Sequence, residues 1–197
     1  ALTRHDSFVI VTFAWLASTF VGTLPYILSG TLPTFTDAFF ETMSGFTTTG
    51  ATMIDDIDSQ PHGILFWRSV TNWVGGLGIV LFTLAILPSN GTGEIKLFAA
   101  EMTGPNKDKL HPRFKTTLHW LWSIYLLLTI LCAVALYIAG MGKFDSICHA
   151  FTTTATGGFS THSKSIAFFH SPAIEYVETI FMFLAGINFS LLYALFF

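Results

Sequence analysis

The sequence GFTTTGAT at residues 45–52 has a counterpart, TATGGFS, at residues 154–160. Glycine and β-branched threonine are poor helix formers, so both stretches are predicted to be non-helical. Each one follows a partly apolar stretch, 35–46 or 144–154, that is too short to span a bilayer and is typical of a re-entrant helix. The two stretches therefore predict a chain that enters a membrane twice without crossing it at those points.

The composition around these stretches is that of a membrane protein. Of 197 residues, 52% are hydrophobic and only 11% are charged, whereas soluble domains carry roughly 25% charged residues. A spanning helix needs about 20 mostly apolar residues, and four stretches meet that length: 8–28, 63–87, 118–139 and 173–197. The formal net charge of −3, without a basic block, excludes a nucleic-acid-binding chain. The predicted fold class is all-α integral membrane.

The order of these elements repeats along the chain. Each unit is predicted to hold a spanning helix, a short descending helix, a threonine- and glycine-rich segment and a second spanning helix, which makes a tandem helix–pore loop–helix repeat. Asp37 and Gly50 recur at one constant separation as Asp145 and Gly158. Three further pairs share a slightly larger separation, namely Tyr26 and Tyr137, Pro61 and Pro172, and Gly75 and Gly186.

The basic residues indicate how the chain is oriented. The stretch 89–117 holds five Lys or Arg residues, whereas the loops on the other side hold only Lys143 and Lys164. Since cytoplasmic loops carry an excess of Lys and Arg, this linker is expected in the cytoplasm, and the short helices are expected to enter from outside. The predicted organisation is a first repeat at 1–88, the linker at 89–117 and a second repeat at 118–197 in a multi-pass membrane protein.

Non-helical backbone at membrane depth indicates a specific chemistry. Unpaired amides and carbonyls cost several kcal/mol each there, so such backbone is tolerated only inside protein or along a water-filled path. Carbonyls that face a path replace the hydration shell of a cation, and the negative C-terminal end of each short helix favours a cation nearby. The alternative is a polar surface loop. Two copies, each between a short helix and a span, favour a carbonyl-lined selectivity filter.

Charged residues near the first segment add to this hypothesis. Arg68 lies in the first two turns of a predicted span, and Glu41 on the first short helix is its predicted partner, in a pair that supports the filter. The alternative is an arginine that extends to the lipid headgroups. Asp55, Asp56 and Asp58 are assigned to the outer mouth, where carboxylates raise the cation concentration, although the residues themselves favour the other interpretation, a solvated acidic loop.

Nothing in the sequence indicates an enzyme. The seven histidines lack metal-ligand spacing, and no serine has His and Asp partners at indicative positions. Cys132 and Cys148 lie in apolar surroundings and do not form a disulfide framework. His149, on the second short helix, is expected to be structural. No resident cofactor is expected.

Four strings carry a family resemblance: SGFTTTGAT, FWRSVTNWVGGLGI, TTATGGFSTHSKS and FLAGINFSLLY. Together with the order of elements, they resemble the Trk/Ktr/HKT superfamily of potassium transporters, and within it the bacterial membrane subunits. The resemblance implies a potassium-channel-like fold in which four repeats surround one ion path. It assigns the first filter to Thr47, Thr48, Thr49, Gly50 and Ala51, and the second to Ala155, Thr156, Gly157, Gly158 and Phe159. Potassium is then bound by the carbonyls of Thr48, Thr49, Gly50, Thr156, Gly157 and Gly158.

The resemblance also implies a function and partners. The expected function is potassium uptake across the cytoplasmic membrane, with potassium as substrate and preferred over sodium, by a homodimer that binds a TrkA-like cytosolic nucleotide-binding ring. Only two of four repeats are present, so the chain is expected to be the first half of a longer subunit. Channel-like conduction and proton- or sodium-coupled symport both remain open. The alternatives are a non-conducting membrane scaffold or assembly subunit and, less favoured by the residues, an intramembrane enzyme.

Overall fold

The computed structural model describes residues 4–78 and 114–187, which form helices and no strand. The first part contains α1 (Arg4–Gly22), α2 (Leu24–Ser29), α3 (Phe35–Phe46) and α4 (His62–Gly76). The second part contains α5 (Phe114–Ile138), α6 (Lys143–Thr154), a short 3₁₀ helix (Ser165–Phe169) and α7 (Pro172–Gly186). Each part therefore has one long apolar element, one short helix, one non-helical segment and one further helix.

The long elements, called outer helices from here, are α1 with α2 in the first part and α5 in the second. Phe8–Ser29 and Leu121–Ile138 are long and apolar enough to cross a membrane. They expose large apolar side chains, including Phe13 at 67%, Leu28 at 83% and Leu127 at 56%. Because a lipid-facing surface is apolar, these faces suit a bilayer and match the predicted spans at 8–28 and 118–139.

The short helices α3 and α6 form where the sequence predicts them. Helix α3 has the predicted bounds, and α6 begins one residue earlier than predicted, at Lys143. Thr34 is the N-cap of α3 and accepts a hydrogen bond from the Asp37 amide, while Asp145 lies in the first turn of α6. Both helices thus begin with an acidic first turn, which complements the unpaired amides of a helix N-terminus.

The inner helices, α4 and α7, are shorter than predicted. The sequence predicts continuous spans at 63–87 and 173–197, but α4 ends at Gly76 and α7 ends at Gly186. Beyond α4, Gly78 has a φ of 79°, and beyond α7, Ile187 is extended. Glycine is a poor helix former, so the glycines at both ends account for the breaks. Residues 79–87 and 188–197 of the predicted spans lie outside the described part of the chain.

The internal repeat has two registers. The short helices and the non-helical segments keep the register predicted from Asp37 and Asp145. The register predicted for the inner helices is wrong by one residue, because α4 covers His62–Gly76 and α7 covers Pro172–Gly186. Gly186 is therefore equivalent to Gly76, and not to Gly75. Likewise Pro61 is an N-cap, whereas Pro172 is the first helical residue.

The outer helices need the same correction. The backbone carbonyls of Tyr26 and Leu136 each accept an amide in the turn that follows, from Leu32 and Met141 respectively. Both side chains are fully buried, whereas Tyr137 is 52% exposed. The equivalent of Tyr26 is therefore Leu136, and not the predicted Tyr137.

The two repeats contact each other through α4, which packs against α6 as well as against α3. Trp73 of α4 stacks on Tyr125 of α5 and on Phe151 of α6, with ring centroids 5.7 and 5.1 Å apart. The Tyr125 hydroxyl donates to the Trp73 carbonyl, and the Trp73 indole donates to the Thr129 hydroxyl. An aromatic cluster with satisfied polar groups thereby fixes the second repeat against the first.

Close backbone contacts at the end of α4 require glycine. A Cβ atom on Gly75 would lie 2.0 Å from the Phe46 carbonyl oxygen, and one on Gly76 would lie 2.7 Å from the Ala155 Cα. These neighbours are the C-terminal ends of the two short helices, so the small residues let α4 contact both. The glycines serve helix packing, and the packing sets where the non-helical segments begin.

We predict that Gly75→Ala lowers the free energy of unfolding by about 1–3 kcal/mol, because the Phe46 backbone must move to admit a methyl group. The measurement is thermal unfolding of the full-length protein in detergent. The matched control is Gly63→Ala in the same helix, where nothing in the described residues lies within 4 Å of the new methyl group. Equal effects of the two substitutions would contradict the packing role of Gly75.

Candidate functional site: two non-helical segments and their supports

The first and second non-helical segments, residues 47–51 and 155–159, leave their short helices in the same way. Three backbone hydrogen bonds close the end of each helix, and those of the second repeat lie at positions equivalent to those of the first. They join the Thr47, Thr48 and Thr49 amides to the Met43, Gly45 and Ser44 carbonyls, and the Ala155, Thr156 and Gly157 amides to the Phe151, Thr153 and Thr152 carbonyls. The two segments thus begin with one common backbone geometry.

Backbone dihedral angles alternate along both segments. Thr48 and Gly50 have φ values of 54° and 75°, and Thr156 and Gly158 have values of 55° and 81°, whereas the residues between them have negative φ. A left-handed φ is rare for threonine and strained, which is typical of functional backbone. Residues of alternating hand turn successive carbonyls toward one side, while the carbonyls of a regular strand alternate between two sides.

The two segments lie directly against each other. A Cβ atom on Gly50 would lie 2.1 Å from the Gly157 carbonyl oxygen. A Cβ atom on Gly157 would lie 1.9 Å from the Asn72 side-chain oxygen, which explains why glycine stands where the first segment has Thr49. Gly158 has nothing within 4 Å among the described residues. The structure therefore brings the two predicted filter segments together, with glycine required sterically at 50 and 157 and by its φ at 50 and 158.

Asn72 of α4 is a residue that the sequence analysis missed. It is buried, and its amide nitrogen donates to the Gly45 carbonyl at 2.9 Å. Its side chain therefore joins the end of α3 to the second non-helical segment. A carboxamide within a predicted membrane span was the available signal, because a buried polar group needs a partner.

The ends of the segments are also held. The Ser44 hydroxyl donates to the Ala51 carbonyl at 2.6 Å. The Thr47 and Thr49 hydroxyls lie 2.9 Å apart, and the Thr47 hydroxyl donates to the Met43 carbonyl. The Ala51 carbonyl is thus engaged within the protein.

Arg68 and Glu41 contact each other, as the sequence predicted. The Arg68 Nε donates to the Glu41 Oε1 at 2.8 Å, and the two side chains are 1% and 0% exposed. The Arg68 side chain is buried and does not extend to the headgroups. The Glu41 carboxylate also accepts hydrogen bonds from the Thr52 hydroxyl and the Met53 amide, at 3.0 and 2.7 Å. One carboxylate thereby fixes the chain that leaves the first non-helical segment.

Arg68 reaches the second repeat as well. Its Nη1 donates to the Ser160 carbonyl at 2.9 Å, and its guanidinium lies 4.3 Å from the centre of the Phe159 ring. The planar guanidinium has five donors, so it can pair with a carboxylate and a carbonyl together. A cation over an aromatic face adds a further attraction. Arg68 therefore ties both segments to α4.

A second buried pair lies in the second repeat. The His149 Nδ1 is 3.4 Å from the Glu178 Oε1, and the His149 Nε2 is 3.3 Å from the Ser160 hydroxyl. Glu178 also accepts a hydrogen bond from the Thr153 hydroxyl. The sequence predicts a structural His149 but not its partner, since α6 and α7 carry no charge pattern that predicts the contact.

The three aspartates at the predicted outer mouth have different surroundings. Asp55 and Asp56 are exposed. Asp58 contacts the second repeat, because its Oδ1 lies 2.7 Å from the His162 Nδ1 and its Oδ2 accepts from the Ser163 amide at 3.2 Å. The hydrogen bond with His162, followed by those with Ser163, holds the pKa of Asp58 below its ordinary value of 3.8. Asp58 therefore joins the two loops.

The described residues contain no group of three or more His, Cys, Asp and Glu side chains that could hold a metal ion. Cys132 and Cys148 are both buried and free. Within this part of the chain, the unusual chemistry lies in the backbone of the two non-helical segments and in the buried pairs beside them.

We predict that separating the Glu41–Arg68 pair destabilises the protein more than removing it. Arg68→Met leaves a buried carboxylate without its cation and should cost about 3–5 kcal/mol, whereas Glu41→Gln combined with Arg68→Met should cost less than Arg68→Met alone. Thermal unfolding of the full-length protein measures both. The control is Asp37→Asn in the first turn of α3, the helix that also holds Glu41. It should lower the free energy of unfolding by about 1 kcal/mol. If the double variant loses as much free energy of unfolding as Arg68→Met and Glu41→Gln lose together when each is measured alone, the pairing is contradicted.

The pKa of Asp58 gives a pH prediction. A carboxyl group whose pKa is lowered in the folded state adds stability above its ordinary pKa of 3.8, and that stability is lost as pH falls through the lowered value. Asp58→Asn should therefore lower the melting temperature at pH 7, and the difference from the parent protein should shrink below pH 3.8. Asp55→Asn is the exposed control. A difference that stays constant into the acid range would argue against the Asp58 contact.

Apolar helices long enough to span a bilayer, together with short helices that end in non-helical segments, define a helical membrane protein built of tandem repeats. The family described as "TrkH: Cation transport protein" matches residues 1–197, the whole chain. The chain belongs to this family.

Individual relatives agree with the family match. The chain is 49% identical to the Trk system potassium uptake protein TrkH of Escherichia coli K12 over 196 residues, which are 98% of this chain and 41% of that protein. It is 45% identical to the Trk system potassium uptake protein TrkG of the same strain, over 98% of this chain and 40% of that protein. The crystal structure of the potassium transporter TrkH from Vibrio parahaemolyticus is similar with a TM-score of 0.78 and 42% identity, over 98% of this chain and 38% of that one. The chain thus spans about two fifths of the length of these relatives.

Proposed function

We propose that this chain forms part of the ion path of a Trk-type system that takes up potassium across the cytoplasmic membrane. The observation that carries the proposal is the pair of adjoining non-helical segments with matched alternation of φ at 48, 50, 156 and 158. Such backbone is tolerated at membrane depth only inside protein or beside an ion path. The relatives named as potassium uptake proteins support potassium as the ion.

The two segments act as two sides of a selectivity filter. A potassium ion sheds water and binds the carbonyls of the first segment at Thr48, Thr49 and Gly50. On the second segment it binds the carbonyls of Thr156, Gly157 and Gly158. Two segments cannot enclose a cation, so further segments of the same kind complete the ring. Helices α3 and α6 end at these segments, and the negative ends of their dipoles favour a cation there.

The buried groups around the segments keep the carbonyls in place. Glu41 and Arg68 hold the chain that leaves each segment, and Asn72 holds the end of α3 beside Gly157. Carbonyl oxygens that are fixed before the ion arrives need no reorganisation to replace its water. A loss of this support therefore weakens discrimination between potassium and sodium before it abolishes transport.

The organisation of the chain follows from the same proposal. The first repeat is 1–88, the cytoplasmic linker is 89–117 and the second repeat is 118–197, with the non-helical segments entered from outside. Asp55 and Asp56 then lie at the outer mouth, where exposed carboxylates raise the local concentration of cations. The basic linker faces a cytosolic nucleotide-binding ring of the TrkA type, and the full-length protein is a homodimer.

The test compares glycines that share a strained φ but differ in position. Gly158→Ala and the control Gly30→Ala, with φ values of 81° and 73°, both place a methyl group in open space among the described residues. Both substitutions should lower the free energy of unfolding by about 1 kcal/mol or more, because alanine is strained at a left-handed φ. Only Gly158→Ala should lower the selectivity for potassium over sodium, by roughly tenfold, since it alone alters a filter carbonyl.

The measurement is rubidium and sodium uptake by the full-length protein in cells that lack their own potassium uptake. Growth at low potassium is the parallel readout. If the parent protein neither restores growth nor takes up rubidium, the transport function is wrong and a membrane scaffold replaces it. If Gly158→Ala and Gly30→Ala change selectivity equally, the second segment is not a filter.

A further inference from the structure

The second repeat has its own counterpart to the Glu41–Arg68 pair. His149 occupies the position on α6 that Glu41 occupies on α3. Glu178 occupies the position on α7 that Arg68 occupies on α4, since each is the seventh residue of its helix. In each repeat, therefore, one buried ionisable residue of the short helix faces one of the inner helix, and the acid and the base have exchanged places.

The hydrogen bonds that follow the pair are also equivalent. In the first repeat, the Thr52 hydroxyl binds Glu41 and accepts the Ile54 amide at 3.1 Å. In the second repeat, the Ser160 hydroxyl binds His149 and accepts the His162 amide at 3.0 Å. The hydroxyl residue stands two positions after Gly50 or Gly158. The His149–Glu178 pair thus holds the exit of the second segment by the same connection that Glu41 uses in the first.

The two pairs differ in how they respond to protons. A guanidinium stays protonated in proteins, so Glu41 and Arg68 together keep a net charge of zero. A histidine and a glutamate carry a net charge of −1 when the imidazole is neutral, and zero when either one gains a proton. Among the described residues, the Glu178 Oε1 is buried without a hydrogen bond, although the His149 Nδ1 lies 3.4 Å away. A ring that carries hydrogen on both nitrogens can donate from Nδ1 to Glu178 and from Nε2 to Ser160 at the same time.

The pair and the second segment border one cavity of about 410 Å³. His149 and Glu178 line this cavity, and so do Thr156, Gly157 and Gly158. The pair and the segment therefore share one space, through which a change of charge on the pair acts on the segment. Because opposite charges attract, a net charge of −1 there favours a cation at the neighbouring carbonyls.

Other ionisable groups around the pair are already engaged or neutral. Arg68 of α4 pairs with Glu41, and Asp145 of α6 binds the Thr161 hydroxyl and lies near His162 of the loop. The thiols nearby are those of Cys148 of α6 and Cys132 of α5, which are buried and free. Glu175 of α7 is exposed. Within the described residues, His149 and Glu178 are the ionisable side chains that line the cavity shared with the second segment.

We propose that His149 and Glu178 are positioning residues for the second filter segment and that they make potassium affinity depend on pH, whereas the Glu41–Arg68 pair gives the first segment a pH-independent support. Uptake of one proton by the pair removes the net negative charge beside the carbonyls of residues 156–158 and weakens cation binding. This inference rests on the proposed potassium filter.

The experiment measures the KM for rubidium uptake by the full-length protein in proteoliposomes. The pH is equal on both sides and varied from 8 to 5.5, and the membrane potential is held constant. The parent protein should show a KM that rises by roughly tenfold as the pH falls, because one unit of charge is lost beside the filter. His149→Glu combined with Glu178→Arg copies the first pair and should make the KM independent of pH.

A second double variant serves as the test if the protein with His149→Glu and Glu178→Arg does not fold. His149→Gln combined with Glu178→Gln keeps similar side-chain volumes without a titratable group and should also give a flat KM, near the low-pH value of the parent. His170→Asn replaces a histidine outside the pair and should keep the parent slope. His162→Gln removes the other histidine near Ser160, and it should keep that slope too.

The outcomes separate this inference from the proposed function. A flat KM in the parent protein overturns the inference, and so does a slope that persists in both His149–Glu178 variants or that disappears in His162→Gln. If Gly158→Ala alters ion selectivity while the KM slope is unaffected by the pair, the filter stands and the pH role of the pair is wrong. If neither the parent protein nor any variant takes up rubidium, the proposed potassium transport is wrong, and the inference that rests on it is wrong as well.

Discussion

The guanidinium of Arg68 is the contact on which the arrangement of both non-helical segments depends. It sits on α4, pairs with Glu41 of the first repeat and donates to the Ser160 carbonyl of the second. A buried charge is costly unless it is paired and hydrogen-bonded, so this geometry has few alternatives. The segments that follow α3 and α6 are consequently held to one helix by one planar side chain.

Glycines at close contacts also hold the two repeats together. Gly75 and Gly76 let α4 contact the ends of both short helices, Gly50 lets the first segment lie against the Gly157 carbonyl, and Gly157 leaves room for the Asn72 side chain. Each of these contacts leaves too little space for a Cβ atom. The hydrogen bonds of Arg68 and the absence of a Cβ atom at these glycines thus have the same result. Both let the backbones of the two non-helical segments lie close together.

The sequence predicts those parts of the structure that follow from local chemistry. The short helix at 35–46 has its predicted bounds because an N-cap, an acidic first turn and a following threonine–glycine run all act within a few residues. The pairing of Arg68 with Glu41 is also predictable, because a membrane-buried charge needs a partner and few candidates exist. The roles assigned to the filter residues remain predictions.

Other features depend on contacts between distant elements, which local patterns do not reveal. The inner helices end at Gly76 and Gly186, whereas hydropathy alone predicts continuous spans. The steric need for Gly157 arises from Asn72, a residue of the other repeat whose approach no local pattern indicates. The match between Glu178 and Arg68 requires the register of the folded helices, because the register read from the sequence is wrong by one residue.

The contact between the two repeats is directional. Gly50 of the first segment faces the Gly157 carbonyl, whereas Gly158 has open space among the described residues. The two repeats therefore meet through different surfaces, and a contact of this head-to-tail kind closes only by continuing around an axis. Arg68 and Glu178 occupy equivalent places in that sequence of contacts but carry opposite charges. The two non-helical segments consequently have similar backbones and unequal side-chain supports.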